Sequence, residues 1–225
     1  MQAIAAENNL AETAFVVPGE SEFGLRWFSP SIEVDLCGHA TLASAHVLFH
    51  HGHARTSPVV FRYQGGTLSV AREGDLLAMD FPARPPEPAA SDPALAAALG
   101  LRPQEVHQAR DFVAVFGSQE EVEALQPDFP ALARLDTFAV AVTAPGRDCD
   151  FVSRFFAPRA GVPEDPATGS SHCTLAPYWS RRLGKKRLHA IQVSRRRGEL
   201  FCEDLGARVK IAGRAIEYLR GHITV

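Results

Sequence analysis

Several features are scarce in this sequence, and each scarcity argues against a class of protein. The 225 residues include only four cysteines, and no two of them form a C-x-x-C pair, which argues against a zinc ribbon or a dense disulfide framework. No apolar run reaches the length that spans a bilayer, and the N-terminus lacks the basic and then apolar pattern of a signal peptide. These observations predict a reduced, cytoplasmic protein that has no membrane partner.

Positive charge is also scarce, because 23 Lys and Arg are set against 26 Asp and Glu, for a net charge of −3. A field of this sign does not attract nucleic acid or an anionic membrane. Basic clusters do occur, at residues 181–182, 185–187 and 195–197, but we interpret them as solvated helix ends and a turn. The 46% of hydrophobic residues is enough to bury a substantial core, so we predict a globular protein that binds no nucleic acid.

The most informative stretch is residues 164–175, in which an acidic loop stiffened by Pro166 leads through Thr168 and Gly169 into a segment of helical character. The first amides of a helix have no partner within the helix, and the helix dipole adds partial positive charge there. Such a junction is suited to a carboxylate or another small anion. A Gly-Ser-Ser helix start is common, so this stretch alone does not define a site.

A second copy of the pattern strengthens the case. Residues 26–30 read RWFSP and are followed by a loop and Cys37-Gly38-His39, whereas residues 154–158 read RFFAP and are followed by a loop and Thr168-Gly169-Ser170. Each copy is an aromatic strand ended by proline, then a loop, a glycine turn and a helix. We therefore predict an internal duplication with one anionic pocket shared by two helix N-termini.

The duplication predicts two pseudo-equivalent halves, residues 1–84 and 85–215, with residues 216–225 returning to the first half. Between them, residues 82–93 contain five prolines and are predicted to be a linker. Residues 58–81 are typical of a hairpin meander. Short strands are predicted at 215–219 and, as an edge strand, at 221–225.

The helix predicted from about His39 to His51 carries apolar residues over most of its circumference, which predicts that strands bury it on all sides. His46, His50 and His53 follow at i, i+4 and i+7 and offer the spacing of a metal-binding face. No carboxylate or cysteine nearby in the sequence completes a ligand set, so we interpret them as the polar end of the helix and predict no metal site. His39 differs, because it lies in the first turn beside the predicted anion site, where an imidazole can exchange a proton with a ligand.

Glu12 lies where a helical segment changes to the β-prone run 13–17. A carboxyl group that is partly desolvated at such a boundary is suited to proton transfer. The simpler alternative is a surface glutamate in a turn, and the local sequence alone favours that alternative.

Three motifs identify a resemblance to a known family. Residues 9–15 (NLAETAF), 36–43 (LCGHATLA) and 164–170 (EDPATGS) occur in the order and spacing that resemble the PhzF-like isomerases of phenazine biosynthesis. The resemblance covers the whole chain. It implies the α+β diaminopimelate epimerase-like fold, in which two similar halves each wrap a curved, mostly antiparallel sheet or half-barrel around a central helix.

The resemblance also implies an activity. The family is cofactor-free and usually homodimeric, its active site lies between the two halves, and its best understood members move a hydrogen within a small cyclic amino acid, dihydro-hydroxyanthranilate. The resemblance therefore implies that the substrate of this chain is a small carboxylic acid. By the same resemblance, Glu12 is the proton-shuttling acid and base, which reverses the reading from local sequence.

The remaining site residues are assigned by the same motifs. His39 and Asp165 resemble residues that contact the substrate and assist the proton relay. Ser170 resembles the residue whose hydroxyl or amide holds the substrate, and Gly38 and Gly169 form the two turns. Raised carboxyl pKa values and helix N-termini suit such proton transfer, because the N-termini offset the charge that develops.

Two departures from the family pattern leave alternatives open. Family members carry a further strand before the first motif, so we expect an exposed edge on the first sheet here. Two-thiol racemases and epimerases of the same fold use one cysteine from each half, and Cys37 matches only one of them, with Pro166 and Ala167 at the expected second place. A third alternative is a protein without turnover, either a non-catalytic binder of a small acid or a truncated, inactive relative that keeps the fold.

Overall fold

The computed structural model describes residues 1–224, which separate into two compact units. The N-terminal unit comprises Met1–Met79 and the described tail from Ala212 onward, and the C-terminal unit comprises Asp80–Ile211. Among the described residues, no helix is both long enough and apolar enough to cross a membrane.

The N-terminal unit contains six strands, of which five lie in the order β1-β2-β4-β5-β6 and the sixth, β3, pairs with β2. Its elements are α1 Gln2–Asn8, β1 Thr13–Pro18, β2 Phe23–Phe28, β3 Glu33–Val34, α2 Gly38–His50, β4 Val59–Tyr63, β5 Gly66–Glu73 and the first four residues of β6 Leu76–Pro82. Leu25, Trp27, Phe61 and Val70 fill the inner face of this sheet. Strand β1 lies at the edge of the sheet.

The C-terminal unit has the strand order β15-β14-β13-β11-β10-β9-β8-β7, with β12 paired to β11. Its strands are β7 Glu87–Pro88, β8 Glu105–Gln108, β9 Phe112–Val115, β10 Val140–Pro145, β11 Phe151–Ala157, β12 Val162–Asp165, β13 Arg187–Gln192, β14 Gly198–Asp204 and β15 Arg208–Gly213. Its helices are α3 Pro93–Leu99, α4 Gln119–Ala124, α5 Phe129–Ala133 and α6 Gly169–Leu183. The apolar faces of α3, α4 and α5 pack in one core with β9, β10 and β11.

The two units repeat one topology. Strand β1 is antiparallel to β2, β2 is parallel to β4, and β4 is antiparallel to β5; strands β10, β11, β13 and β14 repeat these relationships in the same order. A parallel pair needs a crossover connection, and α2 and α6 lie on the two crossovers. The predicted α+β fold with two pseudo-equivalent halves is confirmed.

The C-terminal unit also contains elements that have no counterpart among the described residues of the N-terminal unit. Strand β9 pairs in parallel with β10, whereas β1, which matches β10, has a neighbour on one side only. Helices α3 and α4 precede β9 and β10 in the chain. The edge expected on the first sheet is therefore present at β1.

The two crossover helices differ in burial. Residues 171–180 of α6 are all buried, and Pro177 lies inside this helix without interrupting it. Helix α2 buries one face, formed by Ala40, Thr41, Ser44, Ala45 and Leu48. Its opposite face is solvent-accessible, with Val47 41% exposed, so the prediction that strands bury α2 on all sides is wrong. The apolar residues of α2 extend around more of the helix than the one face that is buried.

Two predicted segments also differ from the structure. The proline-rich segment belongs to the C-terminal unit, where the amides of Ala83, Arg84 and Ala89 donate to carbonyls of that unit and β7 pairs with β8. It is therefore not a free linker. Within the described part of the tail, residues 214–224 contain no strand, so the strands predicted at 215–219 and 221–225 are wrong, except that Val225 lies outside the described residues.

Candidate active site

Glu12 and His39 form a close pair in the N-terminal unit. Glu12 immediately precedes β1, and His39 is the second residue of α2, so the crossover brings the helix start beside the start of the strand. Oε2 of Glu12 lies 3.0 Å from Nε2 of His39, and the two side chains are 16% and 29% exposed. The two atoms form an ion-pair contact, and Oε2 of Glu12 is buried.

This pair has the features that a proton-transfer site needs. A largely buried carboxyl group held beside an imidazole is suited to proton transfer. The adjacent imidazole can stabilise the carboxylate or share a proton with it. The surface turn favoured by local sequence is therefore not what the structure shows, because Glu12 is largely buried.

Cys37 adjoins the same pair. Its Sγ lies 3.7 Å from Nε2 of His39, and the residue is 5% exposed. Burial raises the pKa of the Cys37 thiol, and this effect outweighs the contact with His39. The thiol is therefore protonated at neutral pH and is not a ready base or nucleophile.

Glu12, Cys37 and His39 also place a carboxylate oxygen, a sulfur and a ring nitrogen within 4.8 Å of one another. These are ligand types that zinc accepts. The same three atoms form the candidate proton-transfer site, so a metal ion bound here would occupy the position of the substrate.

The crossover helices α2 and α6 begin differently from α3, α4 and α5 of the C-terminal unit. Asp92, Ser118 and Asp128 cap α3, α4 and α5 with side-chain hydrogen bonds. In contrast, Cys37 and Thr168, the N-cap residues of α2 and α6, make no such bond. The first-turn amides of α2 and α6 therefore lack the side-chain partner that usually satisfies them, as expected for sites that bind a carboxylate.

The loop that leads into α6 is held by a hydrogen-bond network centred on Asp165. One oxygen of its carboxylate accepts from the Thr168 hydroxyl at 2.6 Å, and the other accepts from the Ala167 amide at 3.3 Å. Thr168 thus uses its hydroxyl to hold Asp165 rather than to cap α6. Asp165 and the start of α6 are therefore fixed relative to each other.

Gln192 locks this loop from the next strand. Its Nε2 donates to the Asp165 carbonyl at 2.6 Å, and its Oε1 accepts from the Thr168 amide at 2.8 Å. The side chain is fully buried, and Ser194 adds a hydrogen bond to the carbonyl of Pro166. No local sequence pattern identifies Gln192, because its partners are 24 and 27 residues away.

A repeated ion pair anchors both loops. Arg154 of β11 binds Glu164 through two parallel hydrogen bonds of 2.8 and 3.0 Å, and Arg26 of β2 binds Glu33 through two of 2.7 and 2.8 Å. Each glutamate lies five residues before the first glycine of its helix. Aligning the two sequence copies shows an arginine and a glutamate at matching places in each. The motifs that carry the family resemblance do not contain the arginines, so they do not predict the pair.

His172, in the second turn of α6, is buried and electrically neutral. Its Nδ1 lies 2.9 Å from the Thr168 carbonyl, so this nitrogen carries the proton, while Nε2 has no hydrogen-bond partner among the described residues. Burial lowers the pKa of His172 from 6.5 to about 4. The imidazole fixes the first turns of α6 without contributing charge.

This histidine predicts an acid sensitivity of folding. Because its pKa is near 4 in the folded chain and near 6.5 in the unfolded chain, the unfolded chain binds more protons between these values. Stability is therefore complete above about pH 6.5 and falls as the pH drops toward 4, by about 2 kcal/mol at pH 5 from this residue. Urea unfolding at pH 7 and pH 5 measures the effect.

His172→Gln supplies the comparison, since it removes the titrating group and keeps a donor and an acceptor. The loss of stability between pH 7 and pH 5 should be smaller in this variant by about 2 kcal/mol. If the variant does not fold, NMR of the wild-type ring should show a neutral Nδ1–H imidazole at pH 5. An equal pH dependence in both proteins, or a charged ring at pH 5, would contradict the assignment.

The structure thus places the predicted site residues in two groups. Glu12, Gly38 and His39 come together in the N-terminal unit. Asp165, Gly169 and Ser170 come together at the start of α6 in the C-terminal unit. Each group lies at the first turn of a crossover helix.

This fold defines the class of protein. Two copies of a sheet with a crossover helix, each preceded by a motif loop, form the diaminopimelate epimerase-like fold. A family model described as "Phenazine biosynthesis-like protein" matches residues 1–221, and the chain therefore belongs to this family, the PhzF-like isomerases.

Individual relatives agree with this assignment. An uncharacterized isomerase of Pseudomonas aeruginosa is 52% identical over 98% of this chain and 85% of its own length. The crystal structure of a PhzF family protein from Enterococcus faecalis is 44% identical, has a TM-score of 0.97, and is matched over all of this chain and 86% of that one. A probable proline racemase from Agrobacterium radiobacter, 10% identical over 95% of this chain and 76% of its own with a TM-score of 0.66, shares the fold alone.

Proposed function

We propose that this isomerase moves a proton between carbon atoms of a small amino or hydroxy acid, with Glu12 as the acid and base and without a cofactor. The observation that carries the proposal is the Glu12 carboxyl group, which is largely buried and lies 3.0 Å from Nε2 of His39 at the start of α2. Family membership supports the isomerase class.

The proposed chemistry requires no oxidant. The Glu12 carboxylate removes a proton from one carbon, and the electron pair stays on the substrate, where neighbouring unsaturation delocalises it. The carboxylic acid that forms returns the proton to another carbon, which regenerates the carboxylate. His39 stabilises whichever charge state of Glu12 is present.

Substrate binding is assigned to the start of α6. The amides of Gly169 and Ser170 and the Ser170 hydroxyl would bind the carboxylate of the substrate, because this N-terminus has no side-chain cap. The space beside Gly169 is open, since no atom other than those of its chain neighbours and the adjoining helix backbone lies within 4 Å of the position of an added Cβ. Gly38 and the first turn of α2 would offset negative charge near Glu12 in the same way.

Asp165 would contact a polar group of the substrate. Its two oxygens each accept one hydrogen bond from the loop, and a carboxylate has further lone pairs for an ammonium or hydroxyl group. Its fixed position also makes it suited to assist the proton relay. That the groups of the two units serve one substrate is part of the proposal, as are a homodimer and a cytoplasmic location.

The cysteine-based alternative is disfavoured by two observations. Cys37 is the N-cap of α2, and the matching N-cap of α6 is Thr168, not the Pro166 and Ala167 expected from the sequence. Cys173 is buried inside α6, and burial raises the pKa of its thiol to about 11. A racemase with two opposed thiols would need a second cysteine at the start of α6.

Cys37→Ala is therefore expected to retain most of the activity. The change removes a buried protonated thiol that takes no part in the proposed proton transfer, so turnover should stay within about a factor of ten of the wild type. Turnover of the substrate found by the exchange experiment below measures it. Loss of all exchange and turnover in this variant, with folding intact, would favour the thiol mechanism.

The proposed function is tested by proton exchange with solvent. The protein is incubated in D₂O with a panel of small amino, hydroxy and unsaturated carboxylic acids, and mass spectrometry and NMR record the carbon that gains deuterium. We expect at least one acid to incorporate deuterium at carbon and to yield an isomer of equal composition. Binding of such acids without exchange would indicate the non-catalytic alternative.

A further inference from the structure

We propose that His50, His51 and Glu217 form a binding site for a divalent transition-metal ion of the zinc type. The three side chains belong to the N-terminal unit, and one ligand atom from each lies within 4.8 Å of the others. The histidines alone did not predict a site, because the sequence offers no carboxylate near them. The fold supplies one from the C-terminal tail, 166 residues away from His51.

The ligands come from two segments that meet. His50 is the last residue of α2, His51 follows it, and Glu217 lies in the irregular tail after β15. Nε2 of His51 lies 2.5 Å from Oε2 of Glu217. Their side chains are 17% and 27% exposed, and His50 is exposed, so an ion can enter from solvent.

Two imidazoles and one carboxylate are a ligand set that zinc accepts, with a fourth position left for water. Zinc bonds of about 2.0–2.2 Å require neighbouring ligand atoms to be roughly 3.4 Å apart. The ligand atoms lie within 4.8 Å of one another, and the exposed His50 side chain has room to rotate toward such spacing. The C-terminal end of α2 also carries partial negative charge, which favours a cation.

One charged group and two further histidine rings surround the site. Arg220 places Nη1 3.2 Å from Nδ1 of His51, so its positive charge opposes a metal ion and its side chain must turn away when one binds. His46 stacks on His50 with ring centres 5.6 Å apart, and His53 lies with its ring centre 6.4 Å from that of His51. Removing the positive charge of Arg220 therefore tests whether the bound ion is a cation. His46 and His53 lie nearby but outside the proposed ligand set, so their variants serve as controls.

The site is separate from the candidate active site. It lies at the C-terminal end of α2, whereas His39 lies in the first turn, and a rise of 1.5 Å per residue places the two ends about 18 Å apart. A bound ion would join Glu217 of the tail to the helix that carries His39. The proposal does not depend on the assignment of Glu12.

Zinc titration of the full-length protein, with a competing chromogenic chelator to report free Zn²⁺, tests the site. We expect one strongly bound ion per chain in the wild type. His50→Gln and Glu217→Gln should each weaken binding by at least about tenfold, because each removes a ligand. Arg220→Gln should strengthen it, because the opposing charge is gone.

Three control variants keep the result specific. His46→Gln, His53→Gln and Cys37→Ala should each retain the wild-type affinity within about threefold, since none removes a ligand of this site. Circular dichroism checks that each variant is folded, and His50 is exposed enough to be replaced without disturbing the core.

Four outcomes would overturn the proposal. The first is no binding by the wild type at 1:1 stoichiometry, and the second is an unchanged affinity in both His50→Gln and Glu217→Gln. The third is loss of binding in His46→Gln while Glu217→Gln binds normally. The fourth is loss of binding in Cys37→Ala. The third would assign the ion to a histidine pair on α2, and the fourth would assign it to the Glu12 group.

Discussion

Glu12→Gln is expected to reduce isomerisation and solvent deuterium exchange at carbon by about three orders of magnitude or more. The glutamine side chain is nearly isosteric with glutamate but neither accepts nor returns a proton, and general acid and base catalysis contributes about 10²–10⁴ in rate. A thousandfold loss corresponds to about 4 kcal/mol of transition-state stabilisation. The measurement is exchange into the substrate identified by the D₂O panel.

Ligand binding should survive this change, because the substrate carboxylate is assigned to Gly169 and Ser170. Glu7→Gln is the matched control, since Glu7 lies on α1, is exposed and makes the same change of charge. We expect the control to exchange at the wild-type rate. Exchange at the wild-type rate by Glu12→Gln would remove Glu12 from the proposed role.

Arg154→Met is expected to destabilise folding by about 3 kcal/mol, whereas the same change at Arg26 should have a much smaller effect. The two arginines occupy matching places in the duplicated units and make the same two-bond pair with a glutamate. They differ in burial, since the Arg154 and Glu164 side chains are 12% and 21% exposed and those of Arg26 and Glu33 are 52% and 39% exposed. Removing a buried partner leaves an uncompensated charge, whereas an exposed pair is screened by water.

Arg154 has a second structural role that Arg26 lacks. Its Nη1 donates to the carbonyls of Val122 and Leu125 at the end of α4, so the substitution leaves two further acceptors without this donor. Urea unfolding of both variants measures the difference. Equal losses of stability at the two positions would contradict this prediction. They would show that the two-bond geometry shared by the ion pairs, and not their burial, determines how much each pair stabilises the fold.

The duplication is the part of the fold that the sequence predicts best. The RWFSP and RFFAP segments become β2 and β11, and the glycine turns become the first residues of α2 and α6. This is possible because strand, proline stop and glycine turn are local signals, and each occurs twice at matching spacing. The hairpin meander of residues 58–81 is likewise present as β4, β5 and β6.

Contacts between distant residues were not predictable. The strands predicted in the tail do not form, because Ile216 and Tyr218 are 90% and 97% exposed and no strand pairs with this segment among the described residues. Pattern alone does not decide whether a partner strand is available. Gln192 contacts Asp165 and Glu217 contacts His51 only because the fold brings these distant residues together.

The most direct test of the central claim is a crystal structure with a small carboxylic acid that the exchange experiment identifies as a substrate or a close analogue. We predict that its carboxylate binds at the amides of Gly169 and Ser170 and that Oε2 of Glu12 lies about 3–3.5 Å from the carbon that exchanges deuterium. A bound acid whose exchanging carbon lies far from Glu12, with another acid or base group beside it, would contradict the account.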